Sequence, residues 1–267
     1  MGRKFENRCV YCLKEFPKKE ITVDHVIARS WYPSDTPPVE KWKAPSCREC
    51  NGKKSAIEET LRVRIALCLN PENEGEKTII DSVFRAIDPK KANSAKDFMH
   101  RFNKRTALLR HIKTFPDKNA PGILPSFREN FDKGSRTGVQ VPADALEQLV
   151  LSWVRGIHLC EIGNYIEDDT EIESYHVSDE AAHEAFKDIL QHAQFVEKGP
   201  GIRLFFWHAV EGEEYMTNYA FILYEKFKVY ASVSKSVKRA RTKADDNNRK
   251  NCGELGKRSP RQDLSHL

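Results

Sequence analysis

Between Asn51 and Leu69 apolar side chains return every three or four positions. Leu61, Ile65 and Cys68 share one face, Ala56 lies near the start, and Glu58 stands four residues before Arg62 as an ion pair. This period predicts a helix over about 51–69, ended by Asn70-Pro71. A second helix is predicted near 76–87. A third, about 95–114, starts after Ser94 with Asp97 three residues on, as in a capping box, and would bury Phe98, Phe102, Leu109 and Ile112. Pro142 opens a fourth, about 142–160, with Leu146, Leu149, Val150, Trp153 and Ile157 facing in and Gly163 beyond its end. A fifth, about 179–194, has Ser178 as N-cap and turns Ala182, Phe186, Ile189 and Leu190 inward.

The pattern then changes period. IRLFFWHAV and TNYAFILYEKF are dense in aromatic and branched residues, with EGEE between them as a turn, and KVYASV adds a third strand. Trp207 and Tyr219 are expected in the core of that sheet. The stretch 119–138 carries Pro121, Gly122, Pro125, Gly134 and Gly138 and is expected to be a linker or long loop. EIGNYIEDDTEIES is expected to be irregular and acidic.

Composition narrows the class. Of the 267 residues 31% are charged and 39% hydrophobic, and the longest apolar runs, LEQLVLSWV and YAFILY, are too short to span a bilayer. MGRKFENRC has no apolar signal region, and Glu6 breaks the myristoylation pattern. The expected location is cytoplasmic. The net charge of +5 is uneven: residues 1–64 hold 14 Lys/Arg against 9 Asp/Glu, residues 65–234 hold 20 against 26, and residues 235–267 hold 10 against 4. Two basic ends suit a phosphate backbone. The stretch 77–118, with 11 basic and 4 acidic residues, could widen that footprint, whereas 161–214, with 14 acidic and 3 basic, is expected to face away from it.

Seven cysteines are present. Cys68 and Cys160 fall at helical apolar positions and read as core thiols, and Cys252 lies in a polar tail, a usage unlike a disulfide framework. The other four form two C-x-x-C pairs, Cys9/Cys12 and Cys47/Cys50, which have the ligand set of a closed tetrahedral Zn²⁺ site. The pairs bracket Asp24-His25, and the second runs into Asn51, 26 positions after His25. Pinning the ends of this segment brings a carboxylate, an imidazole and an amide oxygen together, enough to hold a hard divalent cation beside a general base. Asn51 also suits a helix N-cap. His176, His183, His192 and His208 are scattered, without ligand spacing.

CVYC, ITVDHVIARSWYP and APSCRECNGKKS together resemble the HNH (His-Me finger) endonuclease family in its zinc-stapled, four-cysteine form, over roughly residues 5–68. The layout is also similar to that of phage junction-resolving nucleases. Two letters depart from the pattern: Trp42 replaces the middle Asn, and Ala28 replaces a Pro after the His. The resemblance implies an α+β chain with an N-terminal ββα-metal module at 1–70. Beyond that module, the hydrophobic pattern and the charge distribution predict a basic helical connector and loop at 71–138, then an α+β domain with antiparallel strands at 139–233, and a basic, disordered tail at 234–267. The resemblance also implies that His25 activates water, that Asp24 and Asn51 hold Mg²⁺ or Mn²⁺, and that Cys9, Cys12, Cys47 and Cys50 hold structural Zn²⁺. Arg29, Lys53 and Lys54 become candidate phosphate contacts. The expected substrate is double-stranded DNA, with no membrane partner, and the 139–233 domain is left for homodimerisation or a regulatory partner. A zinc-stapled protein that binds nucleic acid without cutting it, and an RNA-directed nuclease, stay open as alternatives.

Overall fold

The chain folds as a mixture of helices and antiparallel sheets, seen in a computed structural model that describes residues 7–33, 40–115, 123–125, 136–176, 187, 191–199, 201–212, 214–224 and 227–235. The N-terminal part is a hairpin followed at once by a helix. Strand β1 (Ile21–His25) runs antiparallel to β2 (Lys43–Cys47), Ile21 opposite Cys47 and His25 opposite Lys43. Helix α1 (Arg48–Ala66) leaves β2 without a loop. Its cap is Cys47, whose sulfur accepts from Cys50 N at 3.5 Å, so Asn51 is the fourth helical residue and not the N-cap. Leu61, Ile65 and Cys68 are buried as expected, but Glu58 pairs with Lys54 one turn back instead of with Arg62. Arg62 turns to the carbonyl of Ser30 and the hydroxyl of Ser82.

Helix α2 (Glu74–Ile87) is capped by Asn73, and α3 (Ala95–Arg110) by Ser94, whose hydroxyl accepts from Asp97 N at 3.1 Å. The Asp97 carboxylate accepts from Asn93 N at 3.0 Å, the N–H one residue before the cap and not that of the cap itself, so the pair is a variant of the expected box. Two expectations for α3 fail. The helix stops at Arg110, and Ile112–Phe115 is strand β3. Its apolar stripe is not buried: Phe98, Phe102 and Leu109 are 44%, 48% and 55% exposed, while Leu108 is the buried residue. The cause is the helix's rotation. Lys104 pairs with Glu59 on α1, and Arg101 donates to the carbonyl of Arg85 on α2, so the stripe turns outward.

The expected loop at 119–138 also contains pairing. Strand β5 (Arg136–Gln140) lies between β3 and β4 (Ile123–Pro125), with Val139 opposite Ile112 and Leu124. Val139 and Val141 are buried around an exposed Gln140, a period of two that the local glycines obscure. The acidic stretch likewise holds a strand, β6 (Glu171–His176), where Glu171 and Glu173 point outward on a sheet edge, a placement that discourages further pairing. It joins β7 (Gln194–Glu197), β8 (Ile202–Glu211), β9 (Glu214–Leu223) and β10 (Phe227–Lys235) in one antiparallel sheet of order β6-β10-β9-β8-β7. Tyr219 is buried in it, whereas Trp207 is partly exposed. The fifth predicted helix lies almost wholly outside the described residues, as does the C-terminal tail.

Helix α4 (Ala143–Glu161) sits between the N-terminal hairpin and this sheet. Leu149, Val150, Trp153, Val154 and Ile157 are all fully or almost fully buried. Trp153 meets Trp31 edge-on at 5.4 Å and Phe221 at 5.8 Å, so one residue touches both layers. The buried core runs without a break from Val10 to Val233. No described helix is long and apolar enough to cross a membrane.

Close approach of α4 also explains a mid-helix glycine. A Cβ on Gly156 would lie 2.6 Å from both methyls of Val26, the residue after His25. Gly156→Ala would gain about 1 kcal/mol of helix propensity, but overpacking typically costs about 1–3 kcal/mol. The expected result is a lower urea midpoint at unchanged m-value. A raised midpoint would show that α4 and the hairpin have room to separate.

Candidate active site and metal centre

The four cysteine sulfurs lie within 4.8 Å of one another. A tetrahedral ion with bonds near 2.3 Å needs sulfurs about 3.8 Å apart, so the cluster has the ligand set and nearly the spacing that a zinc ion would need. The backbone builds it locally. Leu13 N donates to Cys9 O, with Leu13 in the left-handed region at φ 60°, and Val10 N donates to Pro45 O, which fastens the first knuckle to β2. Burial pushes the Cys9 thiol up, yet the N–H groups of Cys47, Cys12 and Tyr11 outweigh it and hold the thiol below its ordinary value. Burial, then the Cys47 sulfur, pushes Cys50 far up. A bound dication supplies the charge that lets all four act as thiolates.

Beside this staple lies a buried charge cluster. The Lys54 ammonium, 3% exposed, stands 3.0 Å from Asp24 Oδ2 and 3.1 Å from Glu58 Oε1, and donates to the carbonyl of His25 at 2.8 Å. Its three protons therefore have three acceptors. Tyr11 donates to the same Asp24 oxygen at 2.8 Å, and Ala28 N to Glu58 Oε1 at 3.0 Å. Burial, then the charge of Asp24, pushes the Tyr11 phenol well above its ordinary value, so it stays a donor. Burial also pushes the Glu58 carboxyl up, against the pull of Lys54. Asp24 Oδ1 has no hydrogen-bond partner among the described residues.

His25 closes β1, half-buried. Burial, then the charges of Lys43 and Arg29, hold its imidazole below its ordinary value, so it is neutral at neutral pH and can accept a proton. Asn51 lies on α1 one turn before Lys54. Arg29 is exposed. Lys53 is exposed and pairs with Glu49 at 2.6 Å. Lys54 faces inward with every donor engaged, so it does not present itself to a phosphate as the sequence suggested. Lys43, opposite His25 in the ladder, is an exposed cation that sequence reasoning did not single out.

Tyr11 and Glu58 were missed too. Their signals were present: Tyr11 sits inside the first C-x-x-C, and Glu58 follows Lys54 by one turn. Trp42, which replaces the family's middle Asn, is buried, and its indole N–H donates to Glu161 at the end of α4. It anchors the hairpin. Arg8 adds a bidentate pair with Glu167 at 2.7 and 2.6 Å. Of the scattered histidines, His208 bonds Thr217 at 2.7 Å, while His158, not noted from sequence, is buried 2.7 Å from the Tyr219 hydroxyl. Burial and His208 hold His158 down to about 4, so it packs as a neutral ring.

Residues 9–56 match the model of a family described as HNH endonuclease. Comparison with curated proteins and with solved structures returned no match.

Two substitutions test this site's construction. Lys54→Met leaves two buried carboxylates without their cation and is expected to cost about 3–5 kcal/mol in denaturant unfolding; an unchanged midpoint would show that the cluster does not tie β1 to α1. Cys47→Ser removes a sulfur ligand but leaves a hydroxyl that can still cap α1. It is expected to lose bound zinc by elemental analysis and to melt well below the parent, and one zinc per chain with normal melting would refute the four-sulfur site.

Proposed function

We propose that the N-terminal module is a divalent-metal-dependent endonuclease centre that hydrolyses phosphodiester bonds in double-stranded DNA. The observation that supports this is the Lys54 cluster, which ties the end of β1 to α1 one turn after Asn51, beside the four cysteines.

In this proposal His25 takes a proton from water as its oxygen attacks phosphorus. The bond to the leaving deoxyribose oxygen breaks, and that oxygen departs with a proton from solvent. Asp24 and Asn51 would hold the divalent ion. When bound, the ion offsets the charge that grows on the phosphate and the leaving oxygen. Lys54 and Tyr11 occupy Oδ2 and keep the carboxylate in one orientation. Lys43 and Arg29 pair with the phosphate backbone, and such contacts weaken steeply with salt. Zinc in the four-cysteine site has a structural part only, since all its ligand positions are filled by sulfur.

Supercoiled plasmid with Mg²⁺ or Mn²⁺ provides the test. Wild type is expected to nick and linearise it, and His25→Ala to lose at least about 100-fold in rate, the usual scale of general-base catalysis. Equal nicking by both proteins overturns His25 as the base. Retained binding without cleavage by the wild type favours a nucleic-acid-binding module instead.

A further inference from the structure

We propose that the outer face of α2 and α3 is a second nucleic-acid surface, one that takes an unpaired strand. The proposal rests on the nuclease reading for the strand's identity as part of the substrate. The surface begins with the stripe that failed to be buried. Phe98, Phe102, Arg105 and Leu109 recur at i, i+4, i+7 and i+11, so they share one face of α3. The rings of Phe98 and Phe102 lie 6.3 Å apart and almost parallel, at 9°. Both are about half exposed, and Phe84 on α2 is exposed to a similar degree.

The stripe continues into a cleft of about 670 Å³ between α2 and α3, where Phe84 and Leu109 supply apolar wall and Arg85, Lys90, Lys91 and Arg105 supply charge. None of these four cations forms an ion pair among the described residues. Of the two acids at the cleft, Asp88 spends its carboxylate on the N–H of Lys90. Exposed parallel aromatic rings beside unpaired cations suit a ligand with anionic charge on one side and flat apolar rings on the other. An unpaired nucleic-acid strand has both: its bases stack on aromatic side chains and its phosphates meet Lys and Arg. A duplex offers the phosphates but hides the faces of its bases. An acidic peptide uses the cations but gives the parallel rings nothing to stack on.

The surface is connected to the candidate site. Lys104 of α3 pairs with Glu59 of α1, the residue after Glu58 of the Lys54 cluster. In this proposal the substrate has a duplex that lies at His25 and an unpaired stretch that lies on α3. Such a substrate is a branched, flapped or locally opened nucleic acid.

Fluorescence anisotropy on the full chain tests this, in a His25→Ala background so that binding is read without cleavage. The probes are labelled oligo(dT), oligo(U), a blunt DNA duplex and polyglutamate. Phe98→Ala with Phe102→Ala replaces two exposed residues, and circular dichroism is expected to match the parent. Binding of oligo(dT) or oligo(U) is expected to weaken about tenfold or more, and whichever strand is affected identifies the sugar. Binding of the duplex is expected to change by less than about threefold, because its bases never reach the rings. Arg105→Ala is expected to weaken all nucleic-acid probes and to flatten their salt dependence. Unchanged oligonucleotide binding by the double Phe variant overturns the proposal, as does a loss confined to polyglutamate, which points to an acidic protein instead. The plasmid assay separates the two failures: cleavage without a Phe effect sinks only this surface, and a Phe effect without any cleavage sinks only the nuclease reading.

Discussion

The arrangement depends on one helix packing on two sides. Trp153 of α4 lies against Trp31 next to the hairpin and against Phe221 in the five-stranded sheet. A small zinc-stapled hairpin has too little apolar surface to bury by itself. Here it gains a shared core: Val26, Ile27, Trp31 and Trp42 are buried in the same cluster as Leu149, Val154 and the sheet. Backbone closeness at Gly156 sets how near the two can come, and the residue it touches is the neighbour of His25. Position of the imidazole and packing of the larger part of the chain are thus linked through this contact, together with those of Trp31 with Trp153 and of Trp42 with Glu161.

The polar side of the same hairpin follows different physics. A lysine between two carboxylates in a nearly dry site earns little net stability, because desolvation offsets most of the attraction. Its effect is on geometry. With Asp24, Glu58 and the carbonyl of His25 all drawn to one ammonium, β1 has one register against α1. Loss of any partner leaves a buried charge, so the arrangement is held by the cost of breaking it. Tyr11 and Trp42 reinforce the hairpin from either end, the first inside the Cys9/Cys12 knuckle and the second at the end of α4.

Helix α3 departs from this pattern. It keeps a single residue, Leu108, fully buried and shows its aromatic residues outward beside a row of cations. Apolar rings at half exposure are tolerable singly, but a stripe of them on one face marks a surface that meets something. Its basic surroundings favour a polyanion.

The local features were legible in the residue order. The four cysteines, the Asp24-His25 pair, the cap at Ser94, the buried face of α4 and the strands around EGEE depend on neighbours in sequence, and short-range spacing carries them. Strand β5 was hidden because glycines interrupt a valine alternation, and β6 because its outward residues are acidic. The inward turn of Lys54, the outward turn of Phe98 and Phe102, and the anchoring by Trp42 were not legible, since each depends on a partner far along the chain. The sequence by itself determined which chemistry the module can hold, because ligand type and spacing belong to the chain. Tertiary structure decided which side chains are spent internally and which remain for a substrate. Helix rotation and burial arise only when separate elements compete for the same contacts.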